Sequence, residues 1–224
     1  MSPPSLYAVT DRRRQSLTDA ALIERAAWLA AAGVDMIQIR ERDLCDRALV
    51  ALVRAIVQAV STTATRVLVN DRADIAVAAG AHGVHLRGDS IAAPRIRQGL
   101  QRSHGSHGSH FLIGRSVHSV AEAKSIAQEG GCDFLLFGTV FPSAGKDPGH
   151  EVAGLAPLAA AVRAVSLPVL AIGGIDVARA PEIAAAGAAG VGGVDVFWTI
   201  GSADEARARC DALCRAFDSR SQVQ

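Results

Sequence analysis

The run FLLFGTVFPSAGKDPGHEVAGL, residues 134–155, leaves an apolar strand pattern and passes into Pro, Gly, Ser, Lys and His, so Lys146 stands as a lone cation in a glycine-rich loop. Glycines beside a lysine let backbone amides approach an anion that the ammonium attracts. A second cationic group lies in DMIQIRER. The period of two of an extended chain puts Met36, Gln38 and Arg40 on one face and Ile37 and Ile39 on the other, with Arg42 just beyond. A buried guanidinium is costly without an anion or a carboxylate beside it, so Arg40 and Arg42 ask for one. Asp71, at the tip of RVLVNDRAD, and Asp89, in VHLRGDS, offer the sparse oxygen ligands that hold a magnesium ion also bound to substrate phosphates. Asp71 has a plainer alternative as the cap of a helix beginning at Ala73. In LIGRSVHS the same period aligns Gly114, Ser116 and His118. His118 suits a proton shuttle near neutral pH, or simply bonds its loop. Gly173 and Gly174 in AIGGID, with Gly192 and Gly193 in GVGGVDV, suit a phosphate held by backbone amides.

These residues reach one place only if the chain is wound so as to bring its loops together. Four segments share a beat: AAGVDMIQIR, AAGAHGVHLR, QEGGCDFLLFG and AAGAAGVGGVDV. Each closes an alanine-rich helical pattern at a glycine suited to a left-handed C-cap and enters an apolar run within a few residues. Four further runs, LYAVT, RVLVN, FLIGRSV and LPVLAIGG, lie between these joints and precede helical patterns such as SVAEAKSIAQEGG. Strands rich in Val, Ile and Leu that alternate with helices imply a parallel sheet buried on both faces. Eight such units in about 200 residues fit a (β/α)8 TIM barrel, whereas an open doubly wound sheet carries fewer strands and a glycine fingerprint after the first. The expectation is a single TIM-barrel domain over residues 1–224. In a barrel the site lies at the C-terminal strand ends, which sends Gln38, Arg40, Asn70 and His85 into one mouth and lets Arg42 and Lys146 converge on it. The inferred ligands are phosphorylated small molecules bearing a diphosphate and a monophosphate.

The composition excludes other partners. Lys and Arg number 23 against 22 Asp and Glu, with no basic block suited to a phosphate backbone, so nucleic acid is not expected. The N-terminal MSPPSLYAVTDRRRQS reaches charge too soon for a leader, and no uncharged stretch nears the length of a membrane span. A cytoplasmic protein without membrane contact is expected, its oligomeric state open, a homo-oligomer included. Cys45, Cys132, Cys210 and Cys214 are expected to be buried free thiols, the last two spaced for one helix face. The three histidines of QRSHGSHGSH, residues 101–110, are separated by Ser and Gly that cannot hold one geometry, so a surface loop is expected there rather than a metal site.

Taken together, GVDMIQIRERD, LVNDRADIAVAAGAHGVHL, IGRSVHS, FGTVFPSAGK and PVLAIGGI resemble the thiamine phosphate synthase / TenI (thiazole tautomerase) superfamily, in that family's order and over nearly the whole chain. The resemblance implies a transferase in which hydroxymethylpyrimidine diphosphate loses magnesium-bound diphosphate and the pyrimidine cation is captured by a thiazole phosphate. It also implies that Gln38 contacts the pyrimidine, that Arg40, Arg42 and Lys146 neutralise the departing diphosphate, and that Asp71 and Asp89 hold Mg2+. Asn70, Ser116 and Ser143 would add hydrogen bonds. The chain departs from the synthase pattern at four places. Ala144 and Gly145 stand where hydroxyl residues usually precede the lysine, and Arg42 replaces a lysine. HLRGDS is one residue shorter than the usual loop, and Asp195 stands where a serine usually adjoins the thiazole phosphate. A carboxylate there must turn away or be held by a cation, with Arg115 or Arg87 as candidates. GRSVHS and RERD lean toward the sister activity, a tautomerase that needs no metal and would use His118 as its acid/base. A third reading is a phosphate-binding protein without turnover.

Overall fold

The computed structural model describes residues 5–104, 111–143 and 152–218. Eight parallel strands close into a barrel in sequence order: β1 (Ser5–Val9), β2 (Met36–Ile39), β3 (Arg66–Asn70), β4 (Gly83–Leu86), β5 (Leu112–Val117), β6 (Phe134–Gly138), β7 (Val169–Ile172) and β8 (Gly190–Gly193). Closure is made by β1 against β8, with Tyr7 opposite Gly192. The helices are α1 (Asp19–Ala31), α2 (Asp46–Ala59), α3 (Ala73–Ala79), α4 (Ala93–His104), α5 (Val120–Glu129), α6 (Leu155–Ala164), α7 (Ala180–Ala185), a one-turn α8 (Asp195–Trp198) and α9 (Ala203–Asp218).

The glycine joints follow the repeated beat in part. Gly33, Gly80, Gly130 and Gly187 all have positive φ, a region that a side chain disfavours, and each turns the chain from a helix toward the next strand. Gly80 is the left-handed cap expected, whereas Gly130, with ψ −174°, leaves its helix outside that region. Alternation then sorts each strand between two apolar layers. Ile37, Ile39, Val67, Val69, Leu135 and Phe137 face the helices in the larger core. Tyr7, Val9, Met36, Leu68, Phe134, Leu136 and Leu170 fill the barrel interior. The interior is therefore a plug of side chains, and polar groups at inward positions near the C-terminal ends are left to form a cavity floor.

Gly114 shows how tightly that plug is filled. A Cβ at Gly114 would lie 2.2 Å from the Phe134 ring of the neighbouring strand, so the glycine makes room for the phenyl group. We expect Gly114→Ala to destabilise the fold by about 1–3 kcal/mol, the usual cost of overpacking a close-packed interior. Urea denaturation checks this, and an unchanged midpoint would contradict it.

The cysteines differ partly from expectation. All four are free, but Cys45 is exposed, since it sits at the N-cap of α2 in an open loop. Cys132 and Cys210 are buried, which raises their thiols to about 11 and about 12 respectively. Of the histidine-rich segment, residues 101–104 end α4 and residues 105–110 lie outside the described residues. No helix among the described residues is long and apolar enough to cross a membrane.

Candidate active site

A cavity of about 730 Å³ opens at the C-terminal ends of the strands. Its size suits a small-molecule site. The structure brings Gln38, Arg40, Arg42, Asn70, Asp89, Ser116, His118, Ser143, Gly173, Gly174 and Gly193 to its wall. Lys146 lies outside the described residues, as do Ala144 and Gly145. Asp71 and Gly192 do not line the wall. Gly192 sits below the rim, where a Cβ would meet Leu136 and the Tyr7 ring, so it gives room to the barrel plug rather than an amide to the mouth.

The floor is a hydrogen-bonded layer. Tyr7 Oη donates to Gln38 Oε1 at 2.9 Å, and Gln38 Nε2 donates to Asn70 Oδ1 at 2.9 Å. Alongside, His85 Nε2 and Ser116 Oγ lie 2.9 Å apart. Tyr7 is fully buried, and desolvation holds its phenol well above the ordinary value, so it stays a donor. Tyr7 and His85 hold places in this layer that their residue types alone do not disclose. The signals were there: the chain's single tyrosine falls at an inward strand position, and His85 shares the face of the mouth.

Above the floor the wall is cationic. Arg40 is anchored by its backbone, with N–H donating to Thr10 Oγ1 at 2.9 Å, while among the described residues its guanidinium has only a long contact to Asp11 at 3.9 Å. Burial first, and the adjacent Arg42 second, hold the Arg40 guanidinium below its ordinary value. That is the signature of an under-compensated charge. Arg42 makes no ion pair among the described residues, whereas Glu41, pointing the other way, accepts from the Arg12 backbone and ties the loop after β1 to the loop after β2. The alternation Arg-Glu-Arg thus divides two cations for the cavity from one carboxylate for the scaffold.

Asp71 and Asp89 meet around one guanidinium. Arg87 Nε donates to Asp89 Oδ1 at 2.9 Å, its Nη2 bonds Asp89 Oδ2, and its Nη1 lies 4.0 Å from Asp71 Oδ2. Those bonds hold the exposed Asp89 carboxyl below its ordinary value. Asp71 has φ 62°, and its Oδ1 accepts from Ser90 Oγ. The N-cap of α3 is Arg72, without a side-chain cap bond, so the capping alternative for Asp71 does not hold: its left-handed backbone directs the carboxylate at the β4–α4 loop instead. That loop is pinned from behind by the buried Arg115, whose guanidinium donates to the carbonyls of Gly88, Ser90 and Ile91.

His118 follows β5, and Ser119 caps α5 by accepting from Glu122 N. The imidazole Nδ1 bonds the Gly138 carbonyl, so Nδ1 bears a proton, and the residue lies on the cavity wall. Asp195 is the clearest correction. Its partners are Arg14, which bonds Oδ2, and Gln15, which donates to Oδ1 at 2.7 Å, rather than Arg115 or Arg87. Arg115 is committed to carbonyls and Arg87 to Asp89, whereas barrel closure sets the β1–α1 loop beside α8.

The buried His85 has a consequence for stability. Desolvation lowers its pKa from 6.5 to about 3, so between those values the unfolded chain binds a proton that the folded chain refuses. Stability is therefore full above pH 6.5 and falls as pH drops toward the folded value. Between pH 7 and pH 5 the wild type should lose about 2 kcal/mol more than His85→Leu, at 1.36 kcal/mol per pH unit below 6.5. Urea titrations at both pH values check this, and equal losses would contradict it.

Fold and site together define a (β/α)8-barrel protein with a cationic, hydrogen-bonding cavity at the C-terminal strand ends. The comparisons with known proteins place it further. The family model described as thiamine monophosphate synthase matches residues 6–196, and the chain belongs to that family. A thiamine-phosphate synthase of Methanoculleus marisnigri is 39% identical over 83% of this chain and 83% of its own length. One from Roseiflexus castenholzii is 35% identical over 94% of this chain and 88% of its own. Among solved structures, a thiamine phosphate pyrophosphorylase from Pyrococcus furiosus superposes with a TM-score of 0.76 at 26% identity, covering 96% of both chains.

Proposed function

We propose that this chain is a thiamine-phosphate synthase that couples hydroxymethylpyrimidine diphosphate to a thiazole phosphate and releases diphosphate. The observation that carries the reading is the placement in one cavity of two guanidiniums, Arg42 without an ion pair among the described residues and Arg40 with only the 3.9 Å contact to Asp11 among them, together with a neutral hydrogen-bonding floor. A heteroaromatic ring fits the floor, and its diphosphate fits the cations. Cleavage of the C–O bond sends its electron pair to the diphosphate and leaves a pyrimidine cation, and the thiazole nitrogen lone pair then forms the new C–N bond. Charge builds on the leaving oxygens, where fixed cations help most. Lys146, from the β6–α6 loop, is assigned to the same leaving group.

The donor set suits magnesium. Asp71 and Asp89 present hard oxygens from adjacent loops to a shared cation position, now taken by Arg87, and no cluster of three or more His, Cys, Asp or Glu able to hold a metal occurs among the described residues. A site that supplies two carboxylates and leaves the other positions to phosphate and water is typical of this ion. Bound there, Mg2+ would supply charge stabilisation to the departing diphosphate. Phosphorylated small molecules are the partners.

A second reading, the metal-free tautomerase, is favoured by one observation: His118 already has Nδ1 fixed by Gly138 and its ring on the cavity wall. Turnover of each substrate set, followed by product analysis, separates the two. The thiazole phosphate is assigned to the amides near Gly173, Gly174 and Gly193, close to Asp195. Because Arg14 and Gln15 already hold that carboxylate, we expect Asp195→Ser to tighten thiazole phosphate binding by less than about tenfold, which is 1.4 kcal/mol. Calorimetry checks this. A larger gain would mean that the carboxylate faces the ligand and that the site prefers a less anionic one.

A further inference from the structure

The cavity floor contains a buried base to which none of the steps above gives a role. His85 is 2% exposed, and its ring packs beside Tyr7 and Phe134, with ring centroids 5.7 and 6.1 Å away. Nε2 lies 2.9 Å from Ser116 Oγ, whereas Nδ1 is buried and has no hydrogen-bond partner among the described residues. A neutral imidazole has two tautomers, and these surroundings rank them. With the proton on Nδ1, an N–H would be buried against aromatic rings with nothing to accept it, at a cost of about 1–3 kcal/mol. Orphaned buried N–H groups are rare, and unpaired acceptors are better tolerated. With the proton on Nε2, the orphan is a lone pair and the N–H has Ser116 Oγ to bond.

The choice of tautomer decides what Ser116 offers the ligand. If Nε2 were bare, the hydroxyl hydrogen would be spent on His85 and the cavity would see lone pairs. If Nε2 carries the proton, Oγ accepts it and the hydroxyl hydrogen is free. We propose that His85 is a positioning residue that carries its proton on Nε2 and, by donating to Ser116 Oγ, turns the Ser116 hydroxyl into a donor aimed at an acceptor atom of the bound ligand. The neighbouring relay has the same polarity. Tyr7 donates to Gln38 and Gln38 donates to Asn70 Oδ1, which leaves the Asn70 amide N–H groups as the end of the chain. Two relays that start at buried side chains of β1 and β4 thus end as donors. Such a floor selects a ring edge that presents lone pairs and disfavours one that presents N–H or O–H groups. The ligand assignment rests on the synthase reading, but the tautomer does not.

The test begins with the protein labelled at its histidine nitrogens. In long-range proton–nitrogen correlation spectra near neutral pH, with the His85 signals assigned by their absence from His85→Leu, Nε2 should be the proton-bearing nitrogen and Nδ1 the bare one. Ser116→Ala should move the Nε2 resonance and leave Nδ1 nearly in place. A proton on Nδ1, or an Nε2 signal indifferent to Ser116→Ala, overturns the proposal, and if His85→Leu does not fold the His85 signals are assigned instead by nuclear Overhauser contacts to the Tyr7 and Phe134 rings. The second readout is a double-mutant cycle on kcat/KM for the diphosphate substrate. His85→Leu should cost about tenfold in the wild-type background and less than about twofold in Ser116→Ala, because the residue acts through that hydroxyl. Equal costs in both backgrounds overturn it. A failure of the synthase reading looks different: the wild type would not turn over the substrates, while the nitrogen spectra would still show the proton on Nε2.

Discussion

Arg40→Ala should lower kcat/KM for hydroxymethylpyrimidine diphosphate at least tenfold, the largest loss expected from any single cavity arginine. The guanidinium is half-buried, its nearest carboxylate oxygen among the described residues is 3.9 Å away, and Arg42 adds repulsion, so the charge is poorly compensated there. A charge-assisted hydrogen bond to a group gaining negative charge is worth about 1.5–3 kcal/mol, and 1.36 kcal/mol is tenfold in rate. The free protein already bears the desolvation cost, so a diphosphate receives the interaction with little further penalty. Arg40→Lys should recover only part of the loss, because an ammonium lacks the planar fork that matches two phosphate oxygens. Affinity for the thiazole phosphate should change little. Unaltered steady-state kinetics in Arg40→Ala would remove this residue from the leaving-group site.

The second large effect is expected at Asp71. In Asp71→Asn the magnesium concentration for half-maximal turnover should rise at least tenfold, because one of two protein carboxylates offered to the ion loses its charge. His118→Gln should have the smaller effect in the same assay, since departure of diphosphate needs no base at that position. A tautomerase would reverse this order, because His118 Nε2 would then move the proton and no metal would be involved. Mild and equal effects of both changes would contradict both enzymes. Asp71 is not at the cavity wall, and in the proposed site its bond to Ser90 would have to be exchanged for the ion, so metal titrations should also respond to Ser90→Ala, but less strongly.

What the sequence made legible follows from which signals are local. The glycine joints were readable because each needs a positive φ within one turn of the strand it feeds, as at Gly33 and Gly80. The inward set in MIQIR was readable because a strand has a period of two and two isoleucines must face the helices. The residues that escaped are those whose roles depend on closure or on unusual backbone. Arg14 and Asp195 are 181 residues apart and meet only because β1 pairs with β8. Asp71 was legible as a carboxylate at a strand end but not in direction, which its left-handed φ determines. Arg87 and Arg115 look interchangeable in sequence, yet one faces two carboxylates and the other is sunk among three carbonyls. Tyr7 and His85 carried the right parity, but their hydrogen-bond partners lie on neighbouring strands.

The most direct test supplies the purified protein with hydroxymethylpyrimidine diphosphate and the thiazole phosphate, with and without magnesium, and measures thiamine phosphate and free diphosphate together. The account predicts that both products form in equal amounts with magnesium and fall to background once the metal is chelated. Metal-independent conversion of the thiazole carboxylate phosphate, with neither product formed from the diphosphate pair, would contradict it and assign the cavity to proton transfer at His118.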